Sequence, residues 1–212
     1  RITLLWDELW LGTLMQHHQD VNRRLVQLES EVKKTLNNPD LSKEEKNLLI
    51  RHKHATVLKP TVFTLKQVQT ITSRPAETIH EQWFQETYGK MIEEAMEKIE
   101  KPTNPNNPHS SWTGFKQLHR SLQERAQKRT SLVLAMKEIS DKLANLNNTV
   151  IAMPGISASG QLVTIASIHN TVQILPTKTK PKKLVILGSD GNRYSYLFKG
   201  LEDLHLDERI MQ

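Results

Sequence analysis

Residues 184–200 read LVILGSDGNRYSYLFKG, two apolar runs around a glycine-rich turn. Leu184-Val185-Ile186-Leu187 and Tyr194-Ser195-Tyr196-Leu197-Phe198 are short runs of β-branched, aliphatic and aromatic residues, the pattern of strands. Between them, Gly188-Ser189-Asp190-Gly191-Asn192 contains the Asp-Gly pair that accepts positive backbone angles, which predicts an antiparallel hairpin. Strand alternation places Arg193, Ser195, Leu197 and Lys199 on one face and Tyr194, Tyr196 and Phe198 on the other. Lys199 ends the strand beside Gly200. An ammonium there needs an anionic partner, because an isolated charge at a sheet surface is costly.

Working back from the hairpin, Leu162-Val163-Thr164-Ile165 and Val172-Gln173-Ile174-Leu175 read as two further strands. Ala152-Met153-Pro154-Gly155 reads as a turn, and Gly155 to Gly160 is small and flexible. Four short antiparallel strands resemble the beginning of a domain rather than a closed one. Residues 149–160 are therefore taken as a linker and 161–212 as a partial sheet domain that ends in a helix start. The first residue, Arg1, suggests a piece of a larger chain or a processed product.

Residues 1–148 have a helical texture. A first helix opens near Thr3 and runs through Leu14, Val21, Leu25 and Leu28 at spacings of three and four. It ends at Asn37-Asn38-Pro39-Asp40. Ser42-Lys43-Glu44-Glu45 is a capping box, in which serine oxygen and Glu45 carboxylate satisfy each other's backbone donors. Pro60 is expected to break the second helix and leave a short one through Val62, Leu65 and Val68. Ser73-Arg74-Pro75-Ala76-Glu77 starts another helix, in which Trp83, Phe84, Tyr88, Met91, Ile92, Ala95, Met96 and Ile99 form a stripe that reads as core. A loop spans 101–108, and a last long helix is expected over 110–148. The fold class is α+β, a helical bundle followed by strands.

Composition narrows the function classes. The 212 residues are 37% hydrophobic and 25% charged, with no cysteine, which excludes a disulfide framework and thiolate metal sites. No run approaches the roughly 18 apolar residues of a membrane helix, and no targeting pattern opens the sequence. Net charge is +6, and Lys178-Thr179-Lys180-Pro181-Lys182-Lys183 reads as a solvated basic turn. Aromatics are 5% and do not interleave with the lysines, which argues against a single-stranded nucleic-acid platform. His17-His18 and His52-Lys53-His54 lack converging acidic or thiolate partners and are not read as metal ligands.

Chemistry concentrates after the hairpin. Glu202, Asp203, Asp207 and Glu208 stand at a helix start, where the dipole favours carboxylates. A strand lysine facing an acidic helix is how kinases hold nucleotide phosphates, and it is also a common surface pairing. The string Lys199-Gly200-Leu201-Glu202-Asp203-Leu204-His205-Leu206-Asp207-Glu208-Arg209-Ile210-Met211-Gln212 resembles the K-G-x-E-D-L-R-x-D-E-R-x-M-Q signature of the phosphatidylinositol-3-kinase-related protein kinases. Ala152-Met153-Pro154-Gly155, Pro181-Lys182-Lys183-Leu184 and Gly188-Ser189-Asp190-Gly191 resemble that family's A-V-P-G, R-P-R-K-L and G-S-N-G stretches. Leu4-Leu5-Trp6-Asp7-Glu8-Leu9-Trp10, Tyr88-Gly89 and Glu94-Ala95 are similar to its rapamycin-binding type of four-helix bundle.

The resemblance implies a four-helix-bundle-type domain at 1–148 and the antiparallel strands of a partial kinase N-lobe at 161–212. It implies a serine/threonine kinase that uses ATP with Mg or Mn and prefers Ser or Thr followed by Gln. The A-M-P-G turn and the L-F-K-G-L-E-D-L-H-L-D-E string point to the branch acting in nonsense-mediated mRNA decay. That branch implies an RNA helicase substrate, other kinase-complex subunits, and cytoplasmic and nuclear location, with no direct nucleic-acid or membrane partner. Lys199 would contact the ATP phosphates, with Glu202 and Asp207 orienting it or lining the pocket. The turn 168–173 would be the phosphate loop, with Asn170 and Thr171 at the phosphate. The bundle would overhang the cleft and recruit substrate, with Leu14, His18, Trp112 and Phe115 lining its groove. His18 replaces a small serine there, which predicts no useful rapamycin binding. The catalytic-loop Asp and Asn and the D-F-G aspartate are absent from the 212 residues, so this chain alone is expected to be inactive. A helical scaffold without catalysis, or a lipid kinase of related fold, are the alternatives.

Overall fold

In the computed structural model, residues 4–128, 133–156, 162–177 and 179–200 are described. Helix α1, Trp6–Leu36, starts with Asp7 and Glu8 and ends with Lys33 and Lys34, charges that suit its dipole. It buries Trp10, Leu14, Val21, Leu25, Leu28 and Val32. Helix α2, Lys43–Thr72, is opened by the expected capping box: Glu45 N–H donates to Ser42 Oγ at 3.2 Å and Ser42 N–H to Glu45 Oε2 at 2.8 Å.

Pro60 does not break α2. One stripe of buried residues, Leu58, Thr61, Leu65, Val68 and Thr72, runs past it without interruption. In the turn that the ring loosens, the Val57 carbonyl accepts from Arg24 Nη1 at 3.0 Å. Packing on both sides and an outside donor therefore offset the proline. Helix α3, Ile79–Glu100, buries Phe84, Tyr88, Ile92, Ala95, Met96 and Ile99, the expected stripe. A 3₁₀ turn, Pro108–Trp112, leads into helix α4, Thr113–Lys128.

The four helices share one core. Phe115 lies 6.2 Å from Trp10 and 4.9 Å from Trp112, ring centre to ring centre. The buried Trp10 indole donates to Thr72 Oγ1 at 3.0 Å. A Cβ on Gly114 would fall 2.8 Å from the Ala95 Cβ, so glycine lets α4 approach α3 closely.

The expected helix over 110–148 ends at Lys128. Strand β1, Val133–Ala135, follows, with one-turn helices α5, Met136–Ile139, and α6, Asp141–Ala144. Long-range pairing overrides helix propensity here. β1 pairs antiparallel with strand β3, Thr171–Ile174, and Leu134, Met136 and Ile139 are buried with Val172, Ile174 and Leu184. Two compact units result: residues 6–76 with 81–128, and the described parts of 1–5, 77–80 and 129–212. The boundary expected at 148 therefore lies inside the second unit.

In that unit strand β4, Lys182–Gly188, is the central strand. Strand β5, Arg193–Phe198, runs along one edge. On the other edge β3 pairs with Lys182 and Lys183, while strand β2, Ile165–Ile168, pairs with Ile186 to Gly188. The β4–β5 hairpin turns where expected, with Gly191 at φ +79° and the Asn192 N–H donating to Asp190 Oδ1. The expected linker is in part sheet. Thr149 N–H donates to the Ile165 carbonyl, Ile165 N–H to Ile151, and Met153 N–H to Val163.

Candidate functional site

The sheet has two unlike faces. Val172, Ile174, Leu184 and Ile186 are buried on one. On the other, register aligns Gln173, Lys183 and Leu197 in one row, and Val185 sits across from Ser195. Arg193, Ser195, Leu197 and Lys199 are all exposed, as strand alternation requires. Lys199 thus follows β5 directly on the open face, one residue past the final β4–β5 pair, Lys182 with Phe198.

The structure does not bring Thr171 and Asn170 to this lysine. The His169 N–H donates to the Val185 carbonyl, which fixes the β2–β3 turn against the middle of β4. Thr171 precedes the Gln173–Lys183–Leu197 row by two residues and Lys199 follows it by two, in strands that run the same way. At strand rise the two are separated by about 13 Å along the strand direction. Asn170 is engaged elsewhere: its carbonyl accepts from Met136 N–H at 2.6 Å and its side-chain oxygen from Lys137 N–H at 3.1 Å. It holds the start of α5. Glu202 and Asp207 lie outside the described residues.

The segment at Lys199's end of the sheet is instead the β3–β4 connection, 175–181. The Leu175 N–H donates to the Pro181 carbonyl at 2.9 Å, and Lys180 N–H to Thr177 at 3.1 Å. Thr177 and Lys180 are exposed, and Lys180 holds φ +45°. Sequence spacing missed this segment because it looked like an ordinary basic turn. The register of β5 against β4, which pairs Lys182 with Phe198, is what puts it at the same end of the sheet as the strand-end lysine. That turn is also not uniformly solvated, for Lys182 is 1% exposed.

Three of the four groove residues belong to the bundle core. Leu14, Trp112 and Phe115 are buried, and His18 is exposed. The His18 ring lies 6.5 Å from that of His119 at an angle of 26°, and its Nε2 is 3.1 Å from Asn22 Nδ2. Burial, reinforced by the neighbouring His18, holds the His119 imidazole below its ordinary pKa. His119 was missed, although it stands one turn after Phe115 on the stripe that continues to Leu122. Among the described residues no group of three or more His, Asp or Glu side chains is placed to hold a metal ion. No helix among them is long and apolar enough to cross a membrane.

The whole chain aligns with the serine/threonine-protein kinase SMG1 of Danio rerio, 59% identical over 212 residues. It also aligns in full with the serine/threonine-protein kinase Smg1 of Drosophila melanogaster, 36% identical over 216 residues. The serine/threonine-protein kinase mTor of Drosophila melanogaster is 32% identical over 152 residues, covering 70% of this chain. The chain spans 6% of the length of each of these relatives. No protein-family model matches it. The two full alignments include Lys199 and the acidic string after it, together with the bundle before it. On that identity and that signature, the chain belongs to the phosphatidylinositol-3-kinase-related protein kinases.

Proposed function

We propose that this chain is the helical-bundle and first-lobe portion of a serine/threonine protein kinase, and that Lys199 contacts the phosphates of ATP. The observation that carries the reading is the place of Lys199, exposed at the end of β5 on the open face of the sheet. A lysine ammonium there acts as a point charge with three rotatable donors. Thr177 and Lys180, at the same end, add a hydroxyl and a second cation toward a phosphate. Glu202 and Asp207 would orient Lys199 or line the nucleotide pocket. ATP's divalent cation, Mg or Mn, would be held by residues beyond this sequence, since the D-F-G aspartate and catalytic-loop asparagine are not among the 212. The 212 residues alone would then transfer no phosphate.

The decay-branch resemblance supports a role in nonsense-mediated mRNA decay. The substrate would be an RNA helicase, phosphorylated at Ser or Thr followed by Gln. Further subunits of a kinase complex would join it in cytoplasm and nucleus, and the bundle would help to recruit substrate. The test uses the full-length protein and a Ser-Gln peptide. Lys199→Ala should lower phosphotransfer by about a hundredfold or more, while the helical circular-dichroism signal and melting temperature stay at wild-type values. Retained activity in that variant sinks the role given to Lys199.

A further inference from the structure

Lys182 is the only lysine among the described residues that is buried, at 1% exposure. It shares the covered face of β4 with Leu184 and Ile186, where an apolar side chain fits. A lysine is almost never buried in this way unless its ammonium is partnered, and Lys182 is not without an interaction partner. A partnered ammonium is directional, whereas a leucine at the same place would supply area alone.

Its position along the strand gives that direction a use. Lys182 pairs with Ile174 on one side and Phe198 on the other, and this rung is the last of the β4–β5 ladder. One step further the ladder would need Pro181, which has no N–H to donate. Lys199 is the first residue past the rung, and alternation sends it to the opposite, open face. The backbone direction at Lys199 therefore depends on how firmly the Ile174–Lys182–Phe198 rung is held.

We propose that Lys182 is a positioning residue for Lys199: its buried ammonium pins the last rung, so that Lys199 leaves the sheet at a fixed angle toward the phosphates. The proposal rests on the reading of Lys199 as the phosphate contact. The test compares Lys182→Met, Lys182→Arg and Lys199→Ala in the full-length kinase, with ATP kinetics and melting curves taken with and without ADP. Lys182→Met keeps length and apolar bulk. It should raise KM for ATP about tenfold, with a smaller loss in kcat, and shrink the ADP-dependent rise in melting temperature measured at the same ADP concentration. Lys182→Arg should return KM to within about threefold of wild type. A folded Lys182→Met protein with wild-type KM overturns the proposal, and so does Lys182→Arg behaving no better than Lys182→Met. If Lys182→Met is recovered unfolded, Lys182→Gln takes its place, and equal KM for Gln and Arg variants is the overturning result. Lys199→Ala distinguishes the levels. Loss of phosphotransfer there with a normal Lys182→Met protein refutes positioning alone, and retained phosphotransfer refutes the phosphate reading and positioning together.

Discussion

His54 shows how one buried side chain ties this fold to pH. Its ring is 2% exposed, and its Nε2 is 3.0 Å from Ser111 Oγ. The hydroxyl itself donates to the Pro108 carbonyl at 2.8 Å, so Nε2 carries the proton of a neutral imidazole. Burial lowers the His54 pKa from its ordinary 6.5. The unfolded chain therefore takes up a proton first as pH falls, and proton uptake favours unfolding. Full stability is present above about pH 6.5 and is lost progressively below it, by up to about 1.4 kcal/mol per pH unit for one proton. Asp20 and Glu45, whose pKa values are lowered by their Arg24 and Ser42 hydrogen bonds, act in the same sense only below about pH 4.5. Melting temperatures between pH 7.5 and 5 should fall for the wild-type chain and fall less steeply for His54→Gln. Equal slopes would show that another group carries the effect. Histidine spacing in the sequence says nothing of this, because the partner Ser111 comes from a distant turn.

At the scale of elements, local chemistry was legible where the cause was local. The Ser42–Glu45 capping box, the Asp190-Gly191 turn and the α3 stripe all depend on residues a few positions apart, and all stand where the sequence puts them. Pro60 and the 110–148 segment depart from local expectation because their states depend on distant contacts. Arg24 serves the carbonyl near Pro60, and β3 takes Val133–Ala135 out of a helix. The separation of Asn170 and Thr171 from Lys199 is hidden for the same reason, since strand register cannot be read from one strand. Close helix approach is likewise invisible in sequence and gives a sharp test. Gly114→Ala removes a helix-weakening glycine, a gain of about 1 kcal/mol. It also places a methyl 2.8 Å from the Ala95 Cβ and 2.9 Å from its Cα, and overpacking of that kind costs about 1–3 kcal/mol. The steric cost should win and lower the melting temperature, and Ala95→Gly in the same chain should recover part of the loss. A higher melting temperature for Gly114→Ala alone would mean that α3 and α4 can move apart at little cost.

At the scale of the molecule, each unit has its own core, and this decides where the chain can be divided. Trp10, Leu25, Phe84, Ile92, Phe115 and Leu118 are buried together in the first unit. Leu134, Met136, Ile139, Val172, Ile174 and Leu184 are buried together in the second. The change of texture at Asn147-Asn148 marks the end of helical composition, yet composition does not define a packing unit. Residues 133–148 look helical, while Leu134, Met136 and Ile139 are buried with residues of β3 and β4 and the backbone of Val133–Ala135 pairs with β3. A chain ending at Lys128 should accordingly melt cooperatively with a strong helical signal, because among the described residues its buried core ends at Leu122. Extending it to residue 148 should leave the melting temperature within about 2 °C, since a shift of that size is what well under 1 kcal/mol produces in a domain of this length. The longer chain should also bind more of a dye that detects apolar surface, because Leu134, Met136 and Ile139 lose the strands that cover them. If instead the chain ending at Lys128 is molten and the one ending at 148 melts sharply, then 133–148 belongs to the bundle. The strand-end lysine would then sit in a sheet that has lost the β1 strand described for it.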